Sequence, residues 1–287
     1  MDSRRRSSSS DPKCVERRSS SFPTKPRISS LKRVDADPRR EDNLDLFGAR
    51  RPVLVDIDGV DRMKTADPAV VDIVAHELAA PDGPYVRALD RSNAEVLYYG
   101  FPHIPFGVLA GYIAQAHRRV ALVEHDLDSS RFEWRPDAPT TSPSVTVTDR
   151  GAGTAVQVRI SISAHVLDEV CAMVLPPDQV GIDVLVEAAE VGRGTVGTEA
   201  QAREHAARLR RVLDQRVNGK ADIASIHVFA AVPVTVAFRI GQVLANTGLP
   251  RSYVYNFTAA ATPQYRWRID LHEATRGEPC AELFGRK

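Results

Sequence analysis

IHVFAAVPVTVAFRIGQVLANTGLPRSYVYNFT (226–258), followed after a short break by YRWRIDL (265–271), decides the fold. Residues 223–231 are an apolar run without alternation, the pattern of a strand covered on both faces. Val232-Pro233 ends it, because proline has no N–H to give to a sheet ladder. A helix carrying Gly241 then runs to about Asn246, and RSYVYNFT (251–258) and YRWRIDL read as strands rich in β-branched and aromatic residues. Strand, turn, helix, strand is the unit of a parallel α/β layer.

Working outward, VLVDID (53–58) reads as a strand. DPAVVDIVAHELAA (67–80) reads as a helix with Asp67 as N-cap and Pro68 in the first turn. PYVRALD (84–90) and AEVLYYG (94–100) read as strands, IPFGVLAGYIAQAH (104–117) as a helix and RVALVEH (119–125) as a strand. SVTVTD (144–149) and TAVQVRISIS (154–163) alternate around a glycine turn and are expected to form a hairpin. VGIDVLVE (180–187) is a further strand, and residues 197–217 form a long helix with Leu209, Val212, Leu213 and Val217 on one face.

Two stretches share one plan. Ala94–Tyr99, a tight turn, a helix with Gly111, Arg119–His125 and Phe132-Glu133-Trp134 match Ile226–Ala231, a tight turn, a helix with Gly241, Arg251–Thr258 and Tyr265-Arg266-Trp267. The chain has 2 tryptophans, and both fall at matching places. The expected fold class is α/β, two fused Rossmann-like halves with mostly parallel sheets. Strand ends and helix N-termini of both halves then face one crevice, where unpaired N–H groups suit an anion with several phosphates. The loops concerned are Gly100-Phe101-Pro102-His103 and Ala230-Ala231-Val232-Pro233. Neither is a GxGxxG or Walker A loop.

The formal net charge is +1 over 287 residues, which excludes a uniformly basic nucleic-acid coat. The average hides an asymmetry, because Arg, Lys and Ser crowd the first forty residues ahead of a mildly acidic body. Residues 1–44 are expected to be a disordered Ser/Arg-rich tail, and 45–287 the folded domain, its first half about 45–165 and its second about 166–275. With 3 scattered cysteines, no leader with an apolar core and no run long enough to span a bilayer, a cytoplasmic protein without membrane contact is expected.

The quoted C-terminal stretch, with FPHIPFGVLAGYIAQ and FEW upstream and VRISIS between, resembles the SAVED domain over about 45–275. SAVED domains resemble two fused CARF-like subdomains and sense cyclic oligonucleotide second messengers in CBASS and CRISPR-associated anti-phage defence. The resemblance implies a cyclic oligonucleotide ligand and ligand-induced homo-oligomerisation. No Ser-His-Asp elbow, HExxH, CxxC pair or kinase signature is present, so no catalytic residue is named and binding without turnover is expected; the alternative left open is cleavage of the ligand, as in some CARF proteins, with a base such as His103 near a ribose 2′-hydroxyl. Family members usually carry a fused effector. Residues 1–44 are too short and polar to be one, so the expected output is an effector protein acting in trans. No cofactor or metal is expected.

The candidate ligand-binding residues follow from their places. Phe101 and His103 follow the first-half strand and offer a ring and a donor. Ser161 and Ser163 alternate on one strand, so both hydroxyls are expected to face the crevice. Ala230, Ala231 and Val232 offer backbone N–H groups. Trp134 and Trp267 are candidates for stacking a base, and Arg135 and Arg266, which flank them, for neutralising a phosphate. One rival remains: VLVDIDGVD (53–61) resembles the first motif of haloacid-dehalogenase-type phosphohydrolases, with Asp56 and Asp58 placed to hold Mg²⁺. Its later Lys and acidic motif has only Lys220 and Asp222 as candidates.

Overall fold

The computed structural model describes residues 26–30, 53–57, 67–90, 96–115, 120–126, 131–135 and 142–285. The elements in chain order are β1 (Pro26–Ser30), β2 (Val53–Ile57), α1 (Pro68–Ala79), α2 (Pro84–Asp90), β3 (Val96–Gly100), α3 (Ile104–Ala114), β4 (Val120–Leu122), β5 (His125–Asp126) and β6 (Arg131–Phe132). They continue with β7 (Ser144–Asp149), β8 (Ala155–Ser161), α4 (Asp168–Cys171), β9 (Val180–Glu187), α5 (Glu199–Arg216), β10 (Ser225–Ala231), α6 (Val234–Leu244), β11 (Arg251–Phe257), β12 (Tyr265–Asp270), α7 (Leu271–Arg276) and β13 (Ala281–Leu283).

Two larger sheets result. One is four-stranded and parallel, in the order β2-β1-β3-β4; the other is seven-stranded, in the order β13-β12-β11-β10-β8-β9-β7. The middle of the larger sheet, β11-β10-β8-β9, is parallel, and antiparallel strands flank it on both edges. This is the expected mixed α/β class. The larger sheet takes up strands from 144 onward, so the division expected near 165 falls between two of its neighbouring strands.

Three local expectations are corrected. PYVRALD is helix α2, not a strand: Pro84 opens it, and Tyr85, Ala88 and Leu89 are buried at helical spacing. Tyr85 Oη donates to the Ala110 carbonyl of α3 at 2.6 Å. Strands β7 and β8 do not form a hairpin, because β9 lies between them, antiparallel to β7 and parallel to β8. β8 is buried along nearly its whole length, with Val156, Val158 and Ile160 on one face and the hydrogen-bonded Gln157, Arg159 and Ser161 on the other, and so takes a central place; β7 alternates between exposed and half-buried positions and suits an edge. Thirdly, within the segment expected to be a tail, Pro26–Ser30 forms β1, paired on both sides by β2 and β3. Ladder hydrogen bonds on two edges offset the ordering entropy that the composition alone does not. The rest of that segment lies outside the described residues.

Helices α3 and α6 join the halves. A Cβ built on Gly111 would lie 1.8 Å from the Phe238 carbonyl oxygen, and one on Gly241 would lie 1.9 Å from the Val108 carbonyl oxygen. Each glycine thus meets the residue three before its counterpart, the reciprocity of a twofold contact. One continuous core spans both halves, with Tyr98, Phe106 and Leu109 against Val236, Phe238 and Ile240.

Candidate functional site

β3 and β10 are equivalent central strands, and the turns that leave their C-terminal ends lead into α3 and α6. Because the helices cross in a twofold manner, both turns open onto one cleft of about 320 Å³. Phe101, Pro102 and Ile104 line it from one half, Val232, Pro233 and Val234 from the other, and Ser163, the 192–197 loop through Arg193, Gly194, Val196 and Gly197, the strand end at Glu124–Asp126, and Glu133 and Arg135 close its sides.

The sequence candidates divide. Phe101, Ser163 and Val232 line the cleft. Phe101 is held edge-on by His125, with ring centroids 4.9 Å apart, and by Phe132 at 5.4 Å. Ser163 lies beyond the end of β8; its backbone N–H donates to the Ala231 carbonyl at 2.8 Å, and its hydroxyl has no partner among the described residues. Ala231 is thereby tied to Ser163, and Ala230 is buried in the core.

The other candidates sit elsewhere. Ser161 does not share the cleft with Ser163: its hydroxyl is buried and accepts the Val166 N–H at 2.9 Å. His103 donates from Nδ1 to Asn256 Oδ1 at 3.2 Å and leans on Trp267 at 5.8 Å; burial lowers its pKa. Trp267 is core, packed on Phe106 at 5.5 Å. Trp134 is half-buried and donates from Nε1 to the Leu122 carbonyl at 2.8 Å. The matching tryptophans therefore mark matching packing positions rather than places on the cleft wall. Arg266 donates to the Phe284 carbonyl at 2.8 Å, away from the cleft.

Of the charged residues of the cleft, Arg135 is among the sequence candidates; Glu124, Asp126, Glu133 and Arg193 are not. Glu124 sits at the end of the first sheet and reaches across to the start of α6, accepting from Thr235 N–H at 3.1 Å and from the Thr235 hydroxyl at 2.7 Å. The α6 N-terminus, expected to be free for a phosphate, thus already holds a carboxylate. Burial pushes the Glu124 pKa up, although the Thr235 hydrogen bonds pull the other way.

Arg135 pairs with Asp126 at 3.5 Å, donates its guanidinium to the Gly194 carbonyl, and gives its N–H to the Gly197 carbonyl at 2.7 Å. It therefore straps the 192–197 loop to the first half. The side chains of Arg193 and Glu133 have no partner among the described residues. The sequence signal that could have pointed here is GRGTVG (192–197), directly before a capped helix. Gly194 takes φ +76°, a conformation glycine adopts without strain, and the Thr198–Gln201 capping box starts α5.

The phosphohydrolase rival meets a different geometry. Asp56 lies on β2 and Asp58 lies outside the described residues. Lys220 and Asp222 precede β10, at the N-terminal end of a strand in the other sheet.

Comparison with known proteins places this arrangement. The family model SAVED, "SMODS-associated and fused to various effectors sensor domain", matches residues 85–271. No curated protein matches the chain. Among solved structures, the Acinetobacter baumannii Cap4 SAVED/CARF-domain containing receptor with the cyclic trinucleotide 3'3'3'-cAAA is 15% identical with a TM-score of 0.51, covering 84% of this chain and 50% of that one. The same receptor with 2'3'3'-cAAA is 14% identical, again with a TM-score of 0.51 and the same coverage of both chains. The chain therefore spans about half the length of these relatives, and the likeness establishes the fold.

Proposed function

We propose, from the premise that this chain belongs to the SAVED family of sensor domains, that it binds a cyclic oligonucleotide second messenger in the cleft between its two helix-bearing turns and serves anti-phage defence. The observation that carries the reading is that the repeat-equivalent turns at Phe101–Ile104 and Val232–Val234 line one cleft. The Cap4 receptors of the same fold hold cyclic trinucleotides.

Within the cleft the roles follow from charge. Arg193 neutralises a phosphate, and the Phe101 ring offers a face or edge to a base. Glu133 repels phosphates, so it meets a donor instead: an exocyclic amine, a ring N–H or a ribose hydroxyl. A volume of about 320 Å³ is at the small end for ligand clefts. A ring of several nucleotides therefore presents one edge to it and leaves the other outside, where a second copy of the chain reaches it. Output passes by such assembly or to an effector in trans, and binding occurs without turnover. Among the described residues no helix is long and apolar enough to cross a membrane; the working compartment we propose is the cytoplasm.

Calorimetric titration with cyclic di-, tri- and tetranucleotides tests the reading. The expected result is saturable binding of at least one ring, recovered intact by chromatography. Ser163→Arg should abolish it while circular dichroism stays unchanged. No binding by any ring overturns the reading, and Mg²⁺-dependent phosphate release lost in Asp56→Asn would establish the phosphohydrolase instead.

A further inference from the structure

Away from the cleft, α1 of the first half meets the segment that leads into β13. Asp72 and His76 lie one helical turn apart on α1, and Cys280 comes 208 residues after Asp72. One ligand atom from each residue lies within 4.8 Å of the other two. A thiol, an imidazole and a carboxylate together form a borderline-soft donor set, which suits Zn²⁺ and poorly suits Mg²⁺ or Ca²⁺.

The groups around the three side chains hold them as an outer shell holds metal ligands. Asp72 Oδ1 accepts the backbone N–H groups of Cys280 and Ala281, each at 2.8 Å, and the Cys280 thiol at 3.3 Å. His76 Nε2 lies 2.8 Å from the Glu278 carbonyl and donates to it. That bond fixes the tautomer and leaves the Nδ1 lone pair for a ligand bond. Neither Asp72 Oδ2 nor His76 Nδ1 has a hydrogen-bond partner among the described residues. The carboxylate and the imidazole are thus oriented by backbone groups while each keeps a lone pair unused.

We propose that Asp72, His76 and Cys280 form a zinc site that pins β13 to α1, with a fourth position open to water. Binding breaks the Cys280 S–H bond, forms an S–Zn bond and releases one proton to solvent; nothing is oxidised. The site ties together segments about two hundred residues apart, so it closes a long loop, and it is independent of the cleft reading.

Cobalt reports thiolate ligation directly. Metal-free full-length chain titrated with Co²⁺ should take up one equivalent. It should show an intense thiolate-to-cobalt charge-transfer band in the near-ultraviolet and tetrahedral bands in the visible, all discharged by Zn²⁺. Cys280→Ser should lose the charge-transfer band. His76→Ala, on a half-buried helical position, should weaken binding by roughly tenfold or more. Cys14→Ser should leave both unchanged. One equivalent of Zn²⁺ should raise the wild-type Tm and leave that of His76→Ala in place. Failure of the wild type to bind cobalt overturns the site, as does a charge-transfer band that persists in Cys280→Ser.

Discussion

At the start of α3 the chain runs Gly100-Phe101-Pro102-His103, and at the start of α6 it runs Ala230-Ala231-Val232-Pro233. Both turns follow a buried central strand, both precede an eleven-residue helix, and neither N-cap residue caps with its own side chain. Their chemistry has separated. The α3 turn presents a ring, braced by His125 and Phe132, and Pro105 removes one of the donors a helix start would offer. The α6 turn is small and keeps its donors, but Glu124 from the other half has taken the N–H and hydroxyl of Thr235. The two turns share a backbone plan but not their side-chain chemistry. The anion site expected at each helix start has become an aromatic wall in one half and an internal carboxylate cap in the other. In the proposed reading, phosphate recognition then falls to the 192–197 loop and Arg193.

The twofold crossing is the part of the comparison easiest to break. Gly241→Ala places a methyl 1.9 Å from the Val108 carbonyl oxygen, against backbone that cannot move alone. The expected cost is about 3 kcal/mol or more, a fall in Tm of roughly 6–12 °C for a domain of this size. Gly192→Ala meets nothing nearer than Thr195 Oγ1 at 3.8 Å and should move Tm by no more than about 2 °C. Differential scanning calorimetry of the two variants decides it; equal melting would mean the helices do not cross at Gly241.

The next effect is on binding. Arg193→Ala removes from the cleft a guanidinium with no partner among the described residues and should weaken a cyclic oligonucleotide by about tenfold, the worth of one charge-assisted hydrogen bond. The dependence of affinity on salt should become shallower. Arg266→Ala, in the repeat position of Glu133, removes a bond to the Phe284 carbonyl outside the cleft and should leave affinity unchanged. Equal losses in calorimetry would move the phosphate contacts out of the 192–197 loop.

Why the sequence showed the frame and hid the site follows from the same contrast. Backbone plan is local: the apolar run at Ile226–Ala231, the Pro233 break and the Gly111–Gly241 correspondence can be read from spacing alone. Strand partners are not local. Nothing in SVTVTD or TAVQVRISIS reveals that β9 will slide between them, because a central strand and half of a hairpin share the same alternation over six residues. PYVRALD was short enough to fit either period, and its buried Tyr85 settles the matter only through Ala110, twenty-five residues on. The cleft charges were hidden for a related reason. Glu124 meets Thr235 across 111 positions, and Arg135 finds Gly194 across 59. The tryptophans could be read either way from the sequence, because equivalent positions in a repeat are as well explained by equivalent packing as by a shared ligand.

The smallest effect probes the carboxylate cap. Glu124 gains two hydrogen bonds from Thr235 at a helix start, a favourable place for negative charge worth about 0.3–1 kcal/mol. Its pKa is nonetheless raised from 4.5, so desolvation outweighs those gains. The sign follows. Between 4.5 and the raised value the folded chain holds a proton that the unfolded chain has lost. Stability therefore falls as pH rises through that window, and the penalty is fully present above it. Glu124→Gln keeps an acceptor for Thr235 and removes the charge. It should raise stability at pH 7 by about 1 kcal/mol or less, and its difference in Tm from the parent should shrink as pH falls toward 4.5. Taking the difference cancels the buried histidines His103, His205 and His227, whose lowered pKa values act in the opposite direction. The same variant removes a negative charge from the cleft proposed to take the ligand, so cyclic oligonucleotides should bind it severalfold more tightly at low salt. A Tm difference independent of pH would show that the carboxylate is solvated and that the α6 turn remains as open to a phosphate as its counterpart at α3.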